Sequence, residues 1–268
     1  MMEAKTFVVP LDGSAYSERA LPVAEALAVR TGGGLLLVSV PFHGPLEPSA
    51  YLDEQSARIT QCPVETFSTG EVLAPAAITD ALEADDDRIV CMTTHGRGSW
   101  RWAAVGSIAE EVIRRTSRPL LLVGRLCRSD FVQGGRDLLV CVDTTSAAAA
   151  LGPAVRVWAE SLSLRVNVAT VVHPLDVPSA EHPELVLRPL IEALGSTEVG
   201  AAQLLRANYT AGALVDYADD LPAVLIAMNT HARTGVPRFV LGSQTMAVLH
   251  EASCPVLVAR RAATQDEP

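Results

Sequence analysis

Two stretches of the chain, 89–124 and 228–259, carry the same landmarks at a constant offset of 136 residues: His95 with His231, Gly106 and Ser107 with Gly242 and Ser243, and Pro119 with Pro255. Landmarks held at one offset over half the chain mark an internal repeat, and a repeat restricts the fold to what one copy can form. A chain of 268 residues is long for one α/β domain and sufficient for two of about 130, each able to bury a core. The expected organisation is a first domain at 1–126, a linker at 127–136, a second domain at 137–262 and a tail at 263–268.

Within the first stretch, the pattern predicts a buried strand at 89–93, a polar glycine-bearing loop at 94–100, a helix beginning near Gly106 and Ser107, and a second apolar strand at 120–123 introduced by Pro119. A strand that empties into a glycine loop and a helix N-terminus gathers backbone N–H groups at the positive end of a helix dipole, an arrangement suited to phosphate. That is the signature of a pocket rather than of catalysis. Upstream, TFVVPL reads as a strand ending in Asp12-Gly13-Ser14, with a helix over 17–30 that Ser14 or Ser17 can cap and the glycines at 32–34 end. Further strands are expected at 35–40 and 64–68 and helices near 51–59 and 74–84, with 41–63 expected as a mobile loop over or beside the pocket. LLLVSV is too continuously apolar for a sheet with one wet face, so helices must cover both sides. A hydrophobic content of 49% with only 4% aromatic residues fits parallel layers packed from aliphatic side chains.

The formal net charge of −10 disfavours non-specific binding to nucleic acid or to an anionic membrane, because both need a surplus of Lys and Arg on some face. Arg97, Arg101, Arg114, Arg115 and Arg118 cluster around the first stretch. They read as a solvated helix face with C-terminal helix charges, Arg97 being the one placed to face phosphate. The acidic run at 83–87 reads as a solvated helix end. Five cysteines without a C-x-x-C spacing suit small core residues in a reducing cytosol, and no run of about 18 apolar residues occurs, so a cytoplasmic protein is expected. The histidines form no metal motif, no Walker pattern is present, and no serine has a His–carboxylate partner that the sequence can place. No enzyme is expected, with slow hydrolysis of a bound nucleotide as the upper limit.

PLDGSAYSERAL, together with MTTHGRG and VGSIAEEVIRRTSRPLLLV, is similar to the opening and signature of the universal stress protein family, and the resemblance extends over nearly all of the chain. It implies two tandem flavodoxin-like, adenine-nucleotide-hydrolase-like α/β sandwiches, each with a five-stranded parallel sheet. The family carries the pattern Gly-x2-Gly-x9-Gly-Ser/Thr after its fourth strand, and an Asp at the end of the first strand that reaches the adenosine. Carried onto this chain, Asp12 contacts the adenosine and Val40 lines the adenine slot. Gly96 lets the loop approach phosphate beside Arg97, Gly106 and Ser107 hold phosphate, and Ile108 contributes its N–H. Thr93 stands where the family has its first glycine, placing a side chain where it crowds the ribose or donates to it. In the second copy those glycines are Asn229 and Ala232, leaving a degenerate pocket of Asp143, Gly242 and Ser243.

The resemblance further implies an intrachain pseudo-dimer through the last strands and leaves a homodimer open. The expected function is regulatory: ATP or a related adenine nucleotide, with Mg2+ as an accompanying ion, binds the first domain and alters shape or affinity for a protein partner. The alternative is a ligand-independent interaction module whose pockets are remnants, with Thr93, Asn229 and Ala232 as its warrant.

Overall fold

In the computed structural model the described residues are 5–39, 47–68, 74–94, 106–133, 135–142, 145–175, 183–195, 197–230 and 241–260. The chain divides into two compact units, Met1–Gly124 and Arg125–Pro268.

The first unit alternates strand and helix: β1 (Thr6–Leu11), α1 (Ala20–Thr31), β2 (Gly34–Ser39), α2 (Pro48–Arg58), β3 (Val64–Ser68), α3 (Ala74–Glu83), β4 (Arg88–Thr93), α4 (Ser107–Arg115) and β5 (Leu120–Val123). Its strands lie parallel in the order β3-β2-β1-β4-β5. The first two crossovers therefore step one way from β1 and the last two step the other way, which with right-handed connections puts α1 and α2 on one face and α3 and α4 on the opposite one. Cover on both sides explains the unbroken aliphatic strands: Phe7, Val8 and Val9 are all fully buried. Only the edge strand β3, exposed from Glu65 to Ser68, is mostly polar.

The second unit repeats the plan with β6 (Asp137–Cys141), α5 (Thr145–Leu162), β7 (Arg165–Val172), α6 (Pro183–Leu194), β8 (Val199–Arg206), α7 (Thr210–Asp220), β9 (Ala223–Thr230), α8 (Ser243–Glu251) and β10 (Val256–Arg260). Its parallel strands run β8-β7-β6-β9-β10, the same order element for element. The residues read from sequence as a linker pack against this unit. Cys127 and Phe131 are buried, and the Arg128 N–H donates to the Ser253 carbonyl at 2.8 Å.

Both first helices end in the same turn. The Gly32 N–H donates to Val29 at 3.3 Å and the Gly33 N–H to Ala28 at 2.8 Å, while the Ser163 N–H donates to Glu160 at 3.3 Å and the Leu164 N–H to Ala159 at 2.8 Å. The left-handed residue is Gly32 (φ +66°) in one and Ser163 (φ +51°) in the other, so the second copy forms its terminator with a Cβ in a region that favours glycine.

Polar contacts fasten the edge of each sheet away from the candidate site. Lys5 pairs with Asp87 at 2.8 Å, and Asp137 accepts from Arg165 (2.8 and 3.1 Å) and from Asn167 (2.6 Å). The acidic run at 83–87 is not merely a solvated helix end. The Arg118 guanidinium donates to the carbonyls of Leu82 (2.7 Å), Asp85 (2.9 Å), Asp86 and Arg88 (2.6 Å), and the Thr116 hydroxyl donates to Glu83 at 3.0 Å. Arg118 thus leaves the solvated-face group and closes the C-terminal end of α3, where backbone carbonyls have no intrahelical donor. Arg114 and Arg115 do lie at the end of α4, both bonded to Glu111. Cys91, Cys127, Cys141 and Cys254 are buried thiols outside any disulfide, as is the half-buried Cys62. Among the described residues no helix is long and apolar enough to cross a membrane.

Candidate functional site

Strand order reverses between β1 and β4, and in an open parallel sheet the crevice beyond the carboxyl ends of two such strands is where ligands lodge. The register of β1 on β4 runs from Thr6↔Arg88 to Val8↔Val90; continued unchanged, it sets Leu11 alongside Thr93. Asp12 and Thr94 therefore follow the carboxyl ends of two neighbouring strands.

On the β1 side the chain makes a tight, self-bonded turn. Gly13 takes a positive φ of 72°, and the Asp12 Oδ1 accepts from the Ser14 N–H at 3.0 Å and from the Ser14 hydroxyl at 2.6 Å. The Ser17 N–H donates to the Ser14 Oγ at 3.1 Å, the Ser17 hydroxyl donates to the Ser14 carbonyl at 2.9 Å, and the Asp12 N–H donates to the Ser17 Oγ at 3.3 Å. Of the two serines proposed as caps, Ser14 is the one that accepts an N–H from the start of the 3-10 turn Ser17–Arg19 that precedes α1, whereas the Ser17 Oγ accepts an N–H from upstream, at Asp12. These bonds aim the Asp12 carboxylate from the end of β1.

On the β4 side, Thr93 and Thr94 are buried, and the Thr94 carbonyl accepts the Gly106 N–H at 2.6 Å. That bond brings the start of α4 back to the strand it followed. Gly106 is the N-cap residue in extended conformation (φ −58°, ψ 146°) and, being glycine, brings no side-chain cap of its own, and the first helical bond is Glu110 N–H to the Gly106 carbonyl at 3.0 Å. The N–H groups of Ser107, Ile108 and Ala109 thus precede the helical ladder and point out of the helix end. Ser107 is exposed, as is Ile108 at 39%, while Ala109 anchors the turn in the core.

The structure accordingly places Asp12, Thr93, Gly106, Ser107 and Ile108 at one edge of the first sheet, on two adjacent strand ends and the helix tied to one of them. Val40, Gly96 and Arg97 lie outside the described residues, as do His95, Trp100 and Trp102. In the second unit Asp143 and Ala232 also lie outside them. There the helix start is reproduced by Gly242 (φ −53°, ψ 148°), with the Met246 N–H donating to its carbonyl at 3.0 Å. Asn229, in the place of Thr93, is buried, and its carbonyl accepts the Thr245 hydroxyl at 3.5 Å. No group of three or more His, Cys, Asp or Glu able to hold a metal occurs among the described residues.

Three residues at this edge escaped the sequence reading. The helix expected near 51–59 within the span 41–63 is α2, Pro48–Arg58, which buries Tyr51, Leu52 and Gln55. The Tyr51 hydroxyl donates to the Glu18 Oε1 at 2.9 Å and the Gln55 amide to the same oxygen at 3.3 Å. Burial, then the bond to Glu18, then the charges of Glu18 and Asp12 push the Tyr51 phenol well above its ordinary value. The spacing of 51, 52 and 55 on one helical face was the available signal.

Two sheets of order 3-2-1-4-5, each with a helix starting at a Gly-Ser beyond its fourth strand, define a tandem α/β protein of the adenine nucleotide alpha hydrolase-like class. The sequence pattern of the universal stress protein family matches residues 3–124 and again 135–260. The chain belongs to the universal stress protein family, as two family domains in tandem. Its fold is similar to that of a universal stress protein from Archaeoglobus fulgidus DSM 4304, with 15% identity, 97% of this chain and 100% of that chain covered, and a TM-score of 0.64. It is also similar to a functionally unknown protein from Pseudomonas aeruginosa PAO1, with 15% identity, 97% and 94% covered, and a TM-score of 0.59. A universal stress protein solved in complex with cAMP is 20% identical, over 48% of this chain and 98% of that one, with a TM-score of 0.39. No curated protein sequence matches the chain.

Proposed function

We propose that the first unit binds an adenine nucleotide, ATP foremost, in the crevice between the ends of β1 and β4, and that the protein acts as a regulatory module through that occupancy. The observation that carries this reading is the bond from the Gly106 N–H to the Thr94 carbonyl, which holds the glycine-led start of α4 at the end of β4, the strand next to the one that ends at Asp12. Phosphate would take the first-turn N–H groups of Ser107 and Ile108 and the Ser107 hydroxyl, with the helix dipole adding to the attraction. The Asp12 carboxylate would accept donors of the nucleoside, on the opposite side of the crevice from the phosphate seat. An accompanying Mg2+ would be held by the phosphates themselves. The reading is one of binding, with slow hydrolysis as its upper limit, measurable as phosphate release over time.

A second reading, a ligand-independent interaction module, draws on Thr93. Its side chain is buried where the family pattern leaves a glycine, and it narrows the space beside the strand end. Calorimetric titration of ATP with Mg2+ into the parent and into a folded Gly106→Trp variant separates the two. Binding in the parent that vanishes in the variant supports the nucleotide site. No heat in either, with no nucleotide retained through purification, refutes it in favour of the interaction module.

A further inference from the structure

The nucleotide reading leaves the buried polar face of α2 unused. Tyr51 and Gln55 are 7% and 3% exposed, and both donate to one oxygen of Glu18. Glu18 belongs to the Asp12 turn: its N–H donates to the Ser14 carbonyl at 3.2 Å, and Ser14 in turn holds the Asp12 carboxylate through its N–H and hydroxyl. Hydrogen bonds joined through the residues Glu18 and Ser14 themselves therefore connect two buried side chains of α2 to the carboxylate beyond β1. The charge of Asp12 contributes to the raised phenol of Tyr51, which fits their proximity.

We propose that Tyr51 and Gln55 are positioning residues for the Asp12 turn, so that docking of α2 and occupancy of the nucleotide site are linked. The ligand half of this rests on the nucleotide reading; the link between α2 and the turn does not. Ser and Asp side chains in a short turn have local alternatives and water as competing partners, so such a turn holds one arrangement only if something outside it selects that arrangement. Glu18, fixed by two donors from another element, is that selector. A ligand that orders the turn lowers the cost of docking α2, and by reciprocity a docked α2 raises the affinity for the ligand.

The test combines hydrogen exchange over 12–19 and 48–58 in the ligand-free protein with calorimetric titration of ATP, in the parent and in Tyr51→Phe, Glu18→Gln and Glu18→Leu. Tyr51→Phe keeps the ring and removes the donor; it is expected to speed exchange in both segments together and to weaken ATP about five- to tenfold. Glu18→Gln keeps the acceptor oxygen and is expected to stay near the parent, whereas Glu18→Leu behaves like Tyr51→Phe. In the parent, ATP slows exchange in 48–58, and in Tyr51→Phe it does not. Faster exchange in 48–58 alone, or ATP affinity unchanged by Tyr51→Phe, overturns the link while leaving the nucleotide site standing. Equal losses in Glu18→Gln and Glu18→Leu overturn it by assigning the effect to charge. If ATP fails to bind the parent, the nucleotide reading and the ligand half fall together, and exchange in the ligand-free variants still decides whether α2 and the turn open as one.

Discussion

Replacing Arg118 by Ala removes a guanidinium that bonds four carbonyls at the end of α3 and the start of β4. The carbonyls of Asp85 and Asp86 are open to solvent and will be rehydrated, so their loss costs little. Those of Leu82 and Arg88 are partly buried, and losing a charged donor to each destabilises the first unit by about 2–3 kcal/mol in all. With a urea dependence of about 1.5–2 kcal/mol per molar for a unit of this size, the midpoint falls by about 1–2 M. Arg118→Lys recovers only part, since an ammonium on a flexible stem cannot fork between carbonyls reached by separate nitrogens. The assay is equilibrium urea unfolding, with exchange over 74–93 to show that the loss lies in the first unit. A loss below about 0.5 kcal/mol, or full recovery by Lys, refutes the reasoning, because an Arg of that behaviour is the solvated charge the sequence suggests.

The two helix terminators give a reciprocal pair. Ser163→Gly should stabilise by about 0.5–1 kcal/mol, and Gly32→Ala should destabilise by about 1 kcal/mol despite the open space around its added Cβ, both read from thermal unfolding. The bonds from Arg114 and then Arg115 pull the Glu111 carboxyl down from 4.5 to about 2; whatever this surface cluster contributes is present above the ordinary carboxylate value and lost as pH falls towards 2. An NMR titration of Glu111 should show that depressed midpoint and its upward return in high salt. Thr93→Gly should lower stability by about 2 kcal/mol, through a lost buried methyl group and a glycine in a strand, while tightening ATP; weaker ATP binding in that variant would mean that the threonine hydroxyl donates to the ligand.

Elements whose cause is local were legible along the chain. The aliphatic runs of β1, β2, β4 and β5 stand within a residue of their expected places because burial on both faces demands unbroken apolar sequence. Asp12-Gly13-Ser14 was legible as a turn because its bonds join residues two to five apart. Arg118 was not, for its partners lie 30–36 residues upstream and are main-chain carbonyls, which carry no side-chain signature. The same holds for Glu18 with Tyr51 and Gln55, separated by 33 and 37 residues. A polar residue on a helix face reads as solvated until the fold supplies a partner that makes burying it tolerable.

The paired copies show which part of the candidate site the backbone alone maintains. Gly106 and Gly242 agree within a few degrees in φ and ψ, although the corresponding residues near the ends of the preceding strands differ, Thr93 in one and Asn229 in the other, both buried. A helix N-terminus needs only its own geometry to attract an anion, whereas the nucleoside side of the crevice depends on what the strand ends and the β1 turn present. On the proposed reading, the divergence would therefore fall on selectivity rather than on phosphate compatibility. Selectivity in the first unit would, on the proposed nucleotide reading, centre on a carboxylate bonded by Ser14 and on a turn that Glu18 ties to α2.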